Sequence, residues 1–234
     1  MKKSLLLLLT ISTFYCHQLK AQDKSVEEEL TEVDSLYRED QFYLGLTFHL
    51  LGDLPADVSQ SGFSGGLHFG FIRDIPINKR RNVAIGIGAG WSINTYGQEL
   101  FIGNGENGKT VFSSLNDVDY NTNRFSTQLL EAPIEFRWRT STATTNKFWR
   151  VYAGLRLGYM YYSKSTFRDA DNRITVTNIP ELDKFRLGTT LTFGYNTFNF
   201  HVYYNLNPMF NNAKLNEESI DMSVFKLGLM FYIL

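Results

Sequence analysis

The strongest constraint in this sequence is an alternation of apolar residues with small or polar residues, which recurs along most of the chain after residue 41. Alternation with a period of two sorts side chains onto the two faces of a β-strand. In the first such segment Phe42, Leu44 and Leu46 alternate with Tyr43 and Gly45. Eight segments have this pattern, at residues 42–50, 63–71, 83–93, 130–139, 149–161, 184–195, 198–206 and 225–233. The sequence therefore predicts an all-β fold of eight antiparallel strands.

The connectors between these segments alternate between long and short. Three are short, at residues 76–81, 140–147 and 196–197, and the others are long and polar. Barrels of the bacterial outer membrane have short periplasmic turns and longer extracellular loops, and an even strand number places both termini in the periplasm. We therefore predict an eight-stranded, antiparallel, up-and-down transmembrane β-barrel whose apolar face looks toward lipid. A water-soluble barrel with its apolar face inside is the alternative.

The less apolar face of the predicted strands combines glycines with long charged side chains. Glycine weakens a solvent-exposed strand, but in a narrow lumen it leaves room for a large neighbour. An eight-stranded barrel is just wide enough for side chains to fill, so we expect a filled polar lumen. The charged residues assigned to it are Glu131, Glu135, Arg137, Arg139, Arg150, Arg156, Lys184, Arg186 and Lys226.

These lumen charges need partners, because an unpaired buried charge is costly. We expect the two glutamates to pair with arginines on neighbouring strands, chiefly Arg150, Arg156 and Arg186. Neighbouring cations favour the ionised carboxylate, which argues against a general acid in this set. The sequence therefore predicts a structural plug rather than a catalytic pair of carboxylates.

Aromatic residues gather near both ends of the predicted strands. Tryptophan and tyrosine are enriched at the two membrane–water interfaces, where one end of the ring is apolar and the other wet. Phe125 is assigned to the belt beside the long loops. The main residues predicted to form the two belts are Trp91, Trp138, Trp149, Tyr159, Tyr161 and Tyr195.

The N-terminal part of the chain differs from the rest in composition. Residues 1–21 have the charged start and short apolar run of a cleaved signal peptide, and they include Cys16, the only cysteine. Residues 22–40 form an acidic periplasmic leader with eight acidic and two basic residues. Its apolar spacing fits a short helix, and its charge equally fits a solvated arm. The barrel is predicted to span residues 41–234.

Three features of the sequence resemble a known family. They are the segment Leu-Glu-Ala-Pro-Ile-Glu-Phe at residues 130–136, the glycine-rich segment at residues 83–91 and the predicted cleavage between Ala21 and Gln22. Together they resemble the PorT-like outer-membrane β-barrel proteins of Bacteroidota, often grouped as a porin family. The resemblance covers roughly residues 41–234 and implies the barrel fold and an outer-membrane location. The founding member is associated with type IX secretion and gliding, and no motif in this chain carries that role over.

Three histidines and two serines are candidates for a metal site or a catalytic pair. His49, His68 and His201 lie on the predicted lumen face, but their spacing does not resemble a metal site. A pair of His49 with Ser59 or Ser61 is the only nucleophile–base arrangement that we consider.

Two loop motifs partly resemble ligand-binding loops, one for phosphate and one for calcium. The glycine-rich run at residues 103–108 lacks the Lys-Ser/Thr of a phosphate loop and is predicted to be a turn. Asp117, Asp119 and Asn121 have the spacing that opens a calcium loop, but Thr122 replaces the required glycine. We therefore predict no metal and no cofactor.

The sequence leads to three functional hypotheses. The first is a non-enzymatic outer-membrane barrel that contacts other envelope or secretion proteins through its extracellular loops, above all residues 95–123, or through the acidic leader. The second is a channel for small solutes, and the third is a lipid-modifying enzyme. Outer-membrane lipid is the expected surrounding, and a formal net charge of −1 gives no reason to expect a nucleic-acid partner.

Overall fold

The computed structural model describes residues 38–105, 109–142, 144 and 147–233. The predicted signal peptide and almost all of the predicted leader therefore lie outside the described residues. In the described part, no helix is long and apolar enough to cross a membrane. The strands are β1 Gln41–Gly52, β2 Gly65–Pro76, β3 Val83–Gly97, β4 Leu100–Asn104, β5 Thr110–Ser114, β6 Thr122–Arg139, β7 Trp149–Arg168, β8 Arg173–Thr177, β9 Phe185–Tyr195, β10 Phe198–Asn205, β11 Lys214–Leu215, β12 Glu218–Ser219 and β13 Ser223–Ile233.

Eight of these strands form one closed antiparallel barrel, as the sequence predicts. Around the ring the order is β1, β2, β3, β6, β7, β9, β10 and β13. The first and last strands pair along their length, with Phe42 opposite Ile233 and Gly52 opposite Ser223. This closure matters because hydrocarbon offers no hydrogen-bond partner to an unpaired strand edge.

The barrel has its apolar side chains outside and its charged side chains inside. Phe42 is 61% exposed and Phe200 is 59% exposed, whereas Arg137 and Arg139 are completely buried. A water-soluble barrel has the reverse arrangement, because burial of apolar surface is what stabilises it in water. The outer wall is therefore suited to hydrocarbon, and the lumen holds the polar residues.

The two ends of the barrel differ. Residues 77–82, 140–148 and 196–197 connect strands at one end, which also carries the start of β1 and the end of β13; we call it the turn end. The tightest connection is Asn196–Thr197, where Asn196 has a φ of 54°. Asparagine tolerates this left-handed conformation better than most residues. The opposite, loop end carries the long connectors.

The strands at the loop end are longer than the alternation indicates. β6 begins at Thr122 and β7 ends at Arg168, and their pairing continues to these residues. The predicted polar stretch at residues 95–123 contains the hairpin of β4 and β5. Strands that project beyond hydrocarbon need no apolar face, so the alternation ends while backbone pairing continues.

The long connectors pack together into a layer with its own apolar core, which we call the cap. Phe125, assigned to an interface belt from the sequence, is 1% exposed in this core because it occupies an inward position of β6. The buried core residues are Val58, Tyr96, Leu100, Ile102, Phe125, Leu129, Met160, Val176, Ile179, Leu182, Met209, Phe210, Ala213, Leu215, Ile220, Met222 and Val224. The cap therefore covers the loop end of the lumen.

Two glycines make space for a lumen tyrosine. Gly70 and Gly90 are paired on β2 and β3, and the hydroxyl of Tyr43 lies against both. A Cβ atom on Gly90 would overlap the Tyr43 hydroxyl and lie 2.9 Å from the Phe69 carbonyl oxygen. The lumen packing therefore depends on the absence of a side chain here.

We expect Gly90→Val to lower the free energy of unfolding by about 1–3 kcal/mol, the usual cost of overpacking. Urea unfolding in lipid vesicles measures this change. Ala89→Val on the same strand is the matched control, because Ala89 is exposed on the outer wall and its change is expected to stay within about 0.5 kcal/mol. Equal costs for the two variants would contradict a filled lumen at this level.

Candidate functional site: the charged lumen

The turn end of the lumen is built around Asp74, which ends the inward row of β2. Its carboxylate accepts two hydrogen bonds of 2.8 Å from the Arg139 guanidinium and one of 2.9 Å from Arg137 Nη1. Both arginines are inward residues of β6, and all three side chains are completely buried. Charge-assisted bonds with bidentate geometry are among the strongest hydrogen bonds in proteins. One carboxylate therefore holds two arginines at this end.

The segment that precedes β1 joins the same cluster. Arg137 donates to the backbone oxygen of Glu39 at 3.3 Å and to the side-chain oxygen of Gln41. The backbone amide of Asp74 donates to Asp40 Oδ1 at 2.8 Å. Residues 39–41 are thus tied to the lumen wall, which fixes where the chain enters the barrel.

Aromatic rings complete the turn-end cluster. The Arg137 guanidinium lies 4.2 Å from the centre of the Tyr152 ring. Arg150 lies over Phe148 at 4.6 Å and over Tyr232 at 5.2 Å. Stacking of a guanidinium on a ring stabilises the cation by about 0.5–2 kcal/mol. Aromatic rings therefore stabilise the charges of Arg137 and Arg150 in addition to the carboxylates of the cluster.

Glu131 is the centre of the middle level. Its carboxylate accepts a hydrogen bond of 2.8 Å from Ser92 and lies 3.3 Å from Arg156 Nη1 and 3.6 Å from His68 Nδ1. Nearby, Lys226 Nζ donates to Asn94 Oδ1 at 2.7 Å. The result is a connected polar network across strands from opposite sides of the barrel.

The lumen has almost no free volume near the loop end. Arg186 donates to the Pro208 carbonyl oxygen at 2.6 Å and to Asn205 Oδ1 at 2.7 Å. The cavity between this level and Glu131 has a volume of about 20 Å³. A water molecule needs roughly 10–15 Å³ measured in this way, so the cavity has space for about one water.

Eight of the nine predicted lumen charges are buried in the lumen, and Lys184 is not. Lys184 is exposed because β9 begins only at Phe185, so the alternation that placed Lys184 inside does not reach it. The predicted pairing is also partly wrong. Arg156 pairs with Glu131, but Arg150 stacks on aromatic rings and Arg186 binds carbonyl and amide oxygens.

The sequence prediction missed Asp74, the most heavily used carboxylate in the lumen. The predicted strand ended at Phe71, whereas β2 continues to Pro76. Continuing the inward row from His68 and Gly70 by two residues at a time reaches Asp74. The inward row therefore contains Asp74, but the alternation ends at Phe71, because Ile72 is apolar at an inward position and Arg73 is charged at an outward one.

The other candidate residues do not form reactive groups. His49 is completely buried and its Nε2 atom lies 2.9 Å from the Thr47 hydroxyl, while the Ser61 hydroxyl contacts Tyr120 and Ser59 is exposed. Among the described residues, no three His, Cys, Asp or Glu side chains are grouped to hold a metal ion.

The described parts of the two loop motifs lie at the loop end, outside the barrel strands. Asp117, Asp119 and Asn121 are exposed in the connector after β5. Gly105 donates to Lys109 at the end of the β4–β5 hairpin, and residues 106–108 lie outside the described part. Neither arrangement points to a bound ligand.

The six residues predicted for the interface belts all project from the outer wall. The ring centres of Trp149 and Tyr195 are 5.3 Å apart near the turn end, and those of Tyr159 and Phe185 are 5.4 Å apart near the loop end. Trp91 Nε1 donates to the Tyr161 hydroxyl at 2.6 Å. The indole N–H of Trp91 therefore has a protein hydrogen-bond partner on the outer wall.

The comparisons with known proteins concern the whole barrel. The chain matches the sequence family described as outer membrane protein beta-barrel domain over residues 20–211. No curated protein matches it. It is similar to the crystal structure of Ail, the attachment invasion locus protein of Yersinia pestis, with 14% identity, 84% of this chain and 99% of that chain covered, and a TM-score of 0.35. For the structure of Ail in complex with the heparin analogue sucrose octasulfate, the identity is 12%, 83% of this chain and 97% of that chain are covered, and the TM-score is 0.31.

We expect Asp74→Ala to lower the free energy of unfolding by about 3–5 kcal/mol, because it leaves two buried arginines without their carboxylate. Urea unfolding in lipid vesicles measures the loss. Asp171→Ala, in the exposed turn after β7, is the control and is expected to change stability by less than about 0.5 kcal/mol. A small loss for Asp74→Ala would mean that the arginines do not depend on this anion.

The pH dependence of stability depends in part on Glu39, which lies just before β1. Burial raises the pKa of Glu39 above its ordinary value near 4.5, and the opposing effects of Arg139 and Arg150 are smaller. The folded state thus favours the protonated form. The free energy of unfolding is therefore expected to fall as pH rises from 4.5 to the raised pKa, by up to about 1.4 kcal/mol per pH unit from this group.

Glu39→Gln removes this titration, so the variant is expected to gain stability relative to wild type as pH rises through that window. Urea unfolding at a series of pH values measures the difference. Glu218→Gln, on the exposed cap, is the control. Parallel curves for wild type and Glu39→Gln would contradict the burial of an ionisable carboxyl at this position.

Proposed function

Because the chain belongs to the family of outer membrane protein beta-barrel domains, we propose that it is a non-enzymatic envelope protein that uses a closed barrel as an anchor and its cap as a binding surface. The partner is another protein of the cell envelope. The resemblance to PorT-like proteins makes a component of a secretion machinery one candidate partner. The acidic leader at residues 22–40 is a second proposed contact, on the periplasmic side.

The packed apolar core of the cap is the observation that carries this proposal. Among the residues that the structure describes, seventeen buried residues from the long connectors and strand ends contribute to one cluster. Loops with such a core hold a fixed shape, so binding through them costs little ordering entropy. Function on a rigid scaffold concentrates in its loops. A cap of this kind suits recognition better than an open mouth for solute entry.

The filled lumen argues against a channel. Charged and aromatic side chains occupy the turn end and the middle, and the space left near Arg186 is about 20 Å³. Passage of a solute would require several buried ion pairs to break together, each at a cost of about 3–5 kcal/mol. The described residues also give a hydrolytic enzyme little support, because His49 contacts Thr47 rather than Ser61.

Site-specific photocrosslinking in native cells tests the proposal. A photoreactive amino acid at Val111 or Val118, which are 44% and 48% exposed on the cap, is expected to give a repeatable protein adduct. Leu157 on the lipid-facing wall and Asn78 at the turn end are matched control positions, expected not to give that adduct. Mass spectrometry identifies the attached protein.

Two outcomes would contradict the proposal. Cap positions that give only lipid adducts, as Leu157 is expected to do, would remove the binding surface. The second outcome comes from current recordings of the reconstituted chain in planar bilayers. Sustained conductance steps would establish a channel instead of a closed anchor. An open porin in the same bilayers shows that the assay detects conductance.

A further inference from the structure

One flank of the loop end carries five cationic side chains, which we call the basic flank. Four of them occupy outward positions on neighbouring strands β6, β7 and β8, and the fifth lies in the connector just before β9. Apart from the half-buried Lys164, all are exposed. They are Arg124, Lys164, Arg168, Arg173 and Lys184.

Strand register brings these charges close to one another. Arg168 is directly opposite Arg173 in the β7–β8 pair. Arg124 is opposite Thr166, one outward position from Lys164. Directly opposed side chains have Cβ atoms about 4.5–5.5 Å apart, and like charges there are destabilising. Such a row is favoured only if anions neutralise it.

Acidic side chains of the described residues do not neutralise the basic flank. None of its five side chains has an ion pair within 4.0 Å among the described residues. Two of the nearest acids in sequence are engaged locally. Asp169 accepts backbone hydrogen bonds from Asp171 and Asn172, which lower its pKa, and Asp183 accepts from Asn207 and the Phe185 amide. Among the described residues, the basic flank is therefore open to anions from outside the chain.

The depth of the basic flank matches the headgroup level of the outer leaflet. Tyr159 and Tyr161 project from the same strand β7, below the cations. Lys164 lies three residues beyond Tyr161, or about 10 Å along the strand. Aromatic rings mark the edge of the hydrocarbon, so cations placed just beyond them meet the phosphates of lipid headgroups.

An apolar groove opens on the outer wall directly below the basic flank. It has a volume of about 570 Å³. Its lining includes Ala132, Leu157, Tyr159 and Phe185 of β6, β7 and β9, together with Asp183 and Asn207 from the connectors. A smaller pocket of about 320 Å³ beside Tyr161 joins this region to Lys184. The exposed lining of the groove is mostly apolar, which suits contact with an acyl chain.

The opposite flank of the loop end has the opposite charge. Asp53, Glu218 and Asp221 line a surface groove beside β1, β10 and β13. In the ring of strands, β6 and β7 lie across the barrel from β1 and β13. The five cations of the basic flank are thus separated around the barrel from these three acids. They point to a ligand that lies against one flank.

From these observations we infer that the basic flank and the apolar groove together bind a phosphate-bearing lipid of the outer leaflet. The phosphates lie among Arg124, Lys164, Arg168 and Arg173, and Lys184 lines the smaller pocket next to the groove. One acyl chain occupies the groove over Ala132. This site lies on the side of the barrel, so it is independent of protein binding by the cap.

Lipid titration of the purified, folded chain in zwitterionic detergent tests the inference. Native mass spectrometry measures the binding of diphosphoryl lipid A and of the same lipid without phosphates. The basic-flank variant carries Arg124→Gln, Lys164→Gln, Arg168→Gln and Arg173→Gln, and is expected to bind diphosphoryl lipid A at least 10-fold more weakly. The control variant carries Arg73→Gln, Lys79→Gln, Arg80→Gln and Lys147→Gln at the turn end, and is expected to bind as wild type does.

A second variant tests the groove without changing charge. Ala132→Phe fills the groove and is expected to weaken lipid binding several-fold, while Ala153→Phe elsewhere on the exposed outer wall is expected to have no effect. Heat-modifiable migration on gels verifies that each variant folds. Crosslinking from Val111 reports on the cap, so loss of one activity does not imply loss of the other.

Three results would overturn the inference. The first is equal lipid binding by the basic-flank variant and the turn-end control. The second is equal binding of the phosphorylated and dephosphorylated lipids. The third is binding of soluble heparin with the same affinity as the lipid together with no effect of Ala132→Phe, which would assign the basic flank to an anionic polymer rather than to a membrane lipid.

Discussion

The structure depends on one constraint, which is that hydrocarbon supplies no hydrogen-bond partner to the backbone. The constraint requires β1 to pair with β13, and this pairing closes the sheet into a ring. Closure of eight strands leaves an interior only wide enough for side chains. Every charged residue that the alternation directs inward must then find its partner there, and Asp74 and Glu131 supply the carboxylates around which the network is arranged.

The same closure separates the surfaces on which the proposed functions depend. The lumen is filled by buried ion pairs and aromatic rings. The cap gains a core of its own because the long connectors bury apolar residues such as Phe125 and Met209. The outer wall remains in contact with lipid, and its charge varies around the ring. A protein-binding cap and a lipid-binding flank can therefore coexist on one closed barrel.

The sequence predicts the direction of a side chain correctly within the membrane-spanning strands, because the alternation and the contact with lipid both require the same face to point outward. The inward positions of Glu131, Arg137 and Arg156 follow from period-two alternation, and their burial agrees with it. The prediction failed where that agreement ends. Lys184 was placed inside because the alternation was extended past the start of β9. Asp74 lies beyond the predicted segment because the alternation ends at Phe71, where Ile72 and Arg73 reverse the apolar and polar faces, although the strand continues to Pro76.

By itself, the sequence determined the number of barrel strands, the face that meets lipid and the filling of the lumen, because each follows from side-chain parity along one strand. Only the tertiary structure decided which charges pair, how the loops pack and which cations share a flank. Asp74 meets Arg137 and Arg139 across a sequence separation of more than 60 residues. Such contacts depend on register between strands and on connector paths, and neither is encoded in the pattern of any single segment.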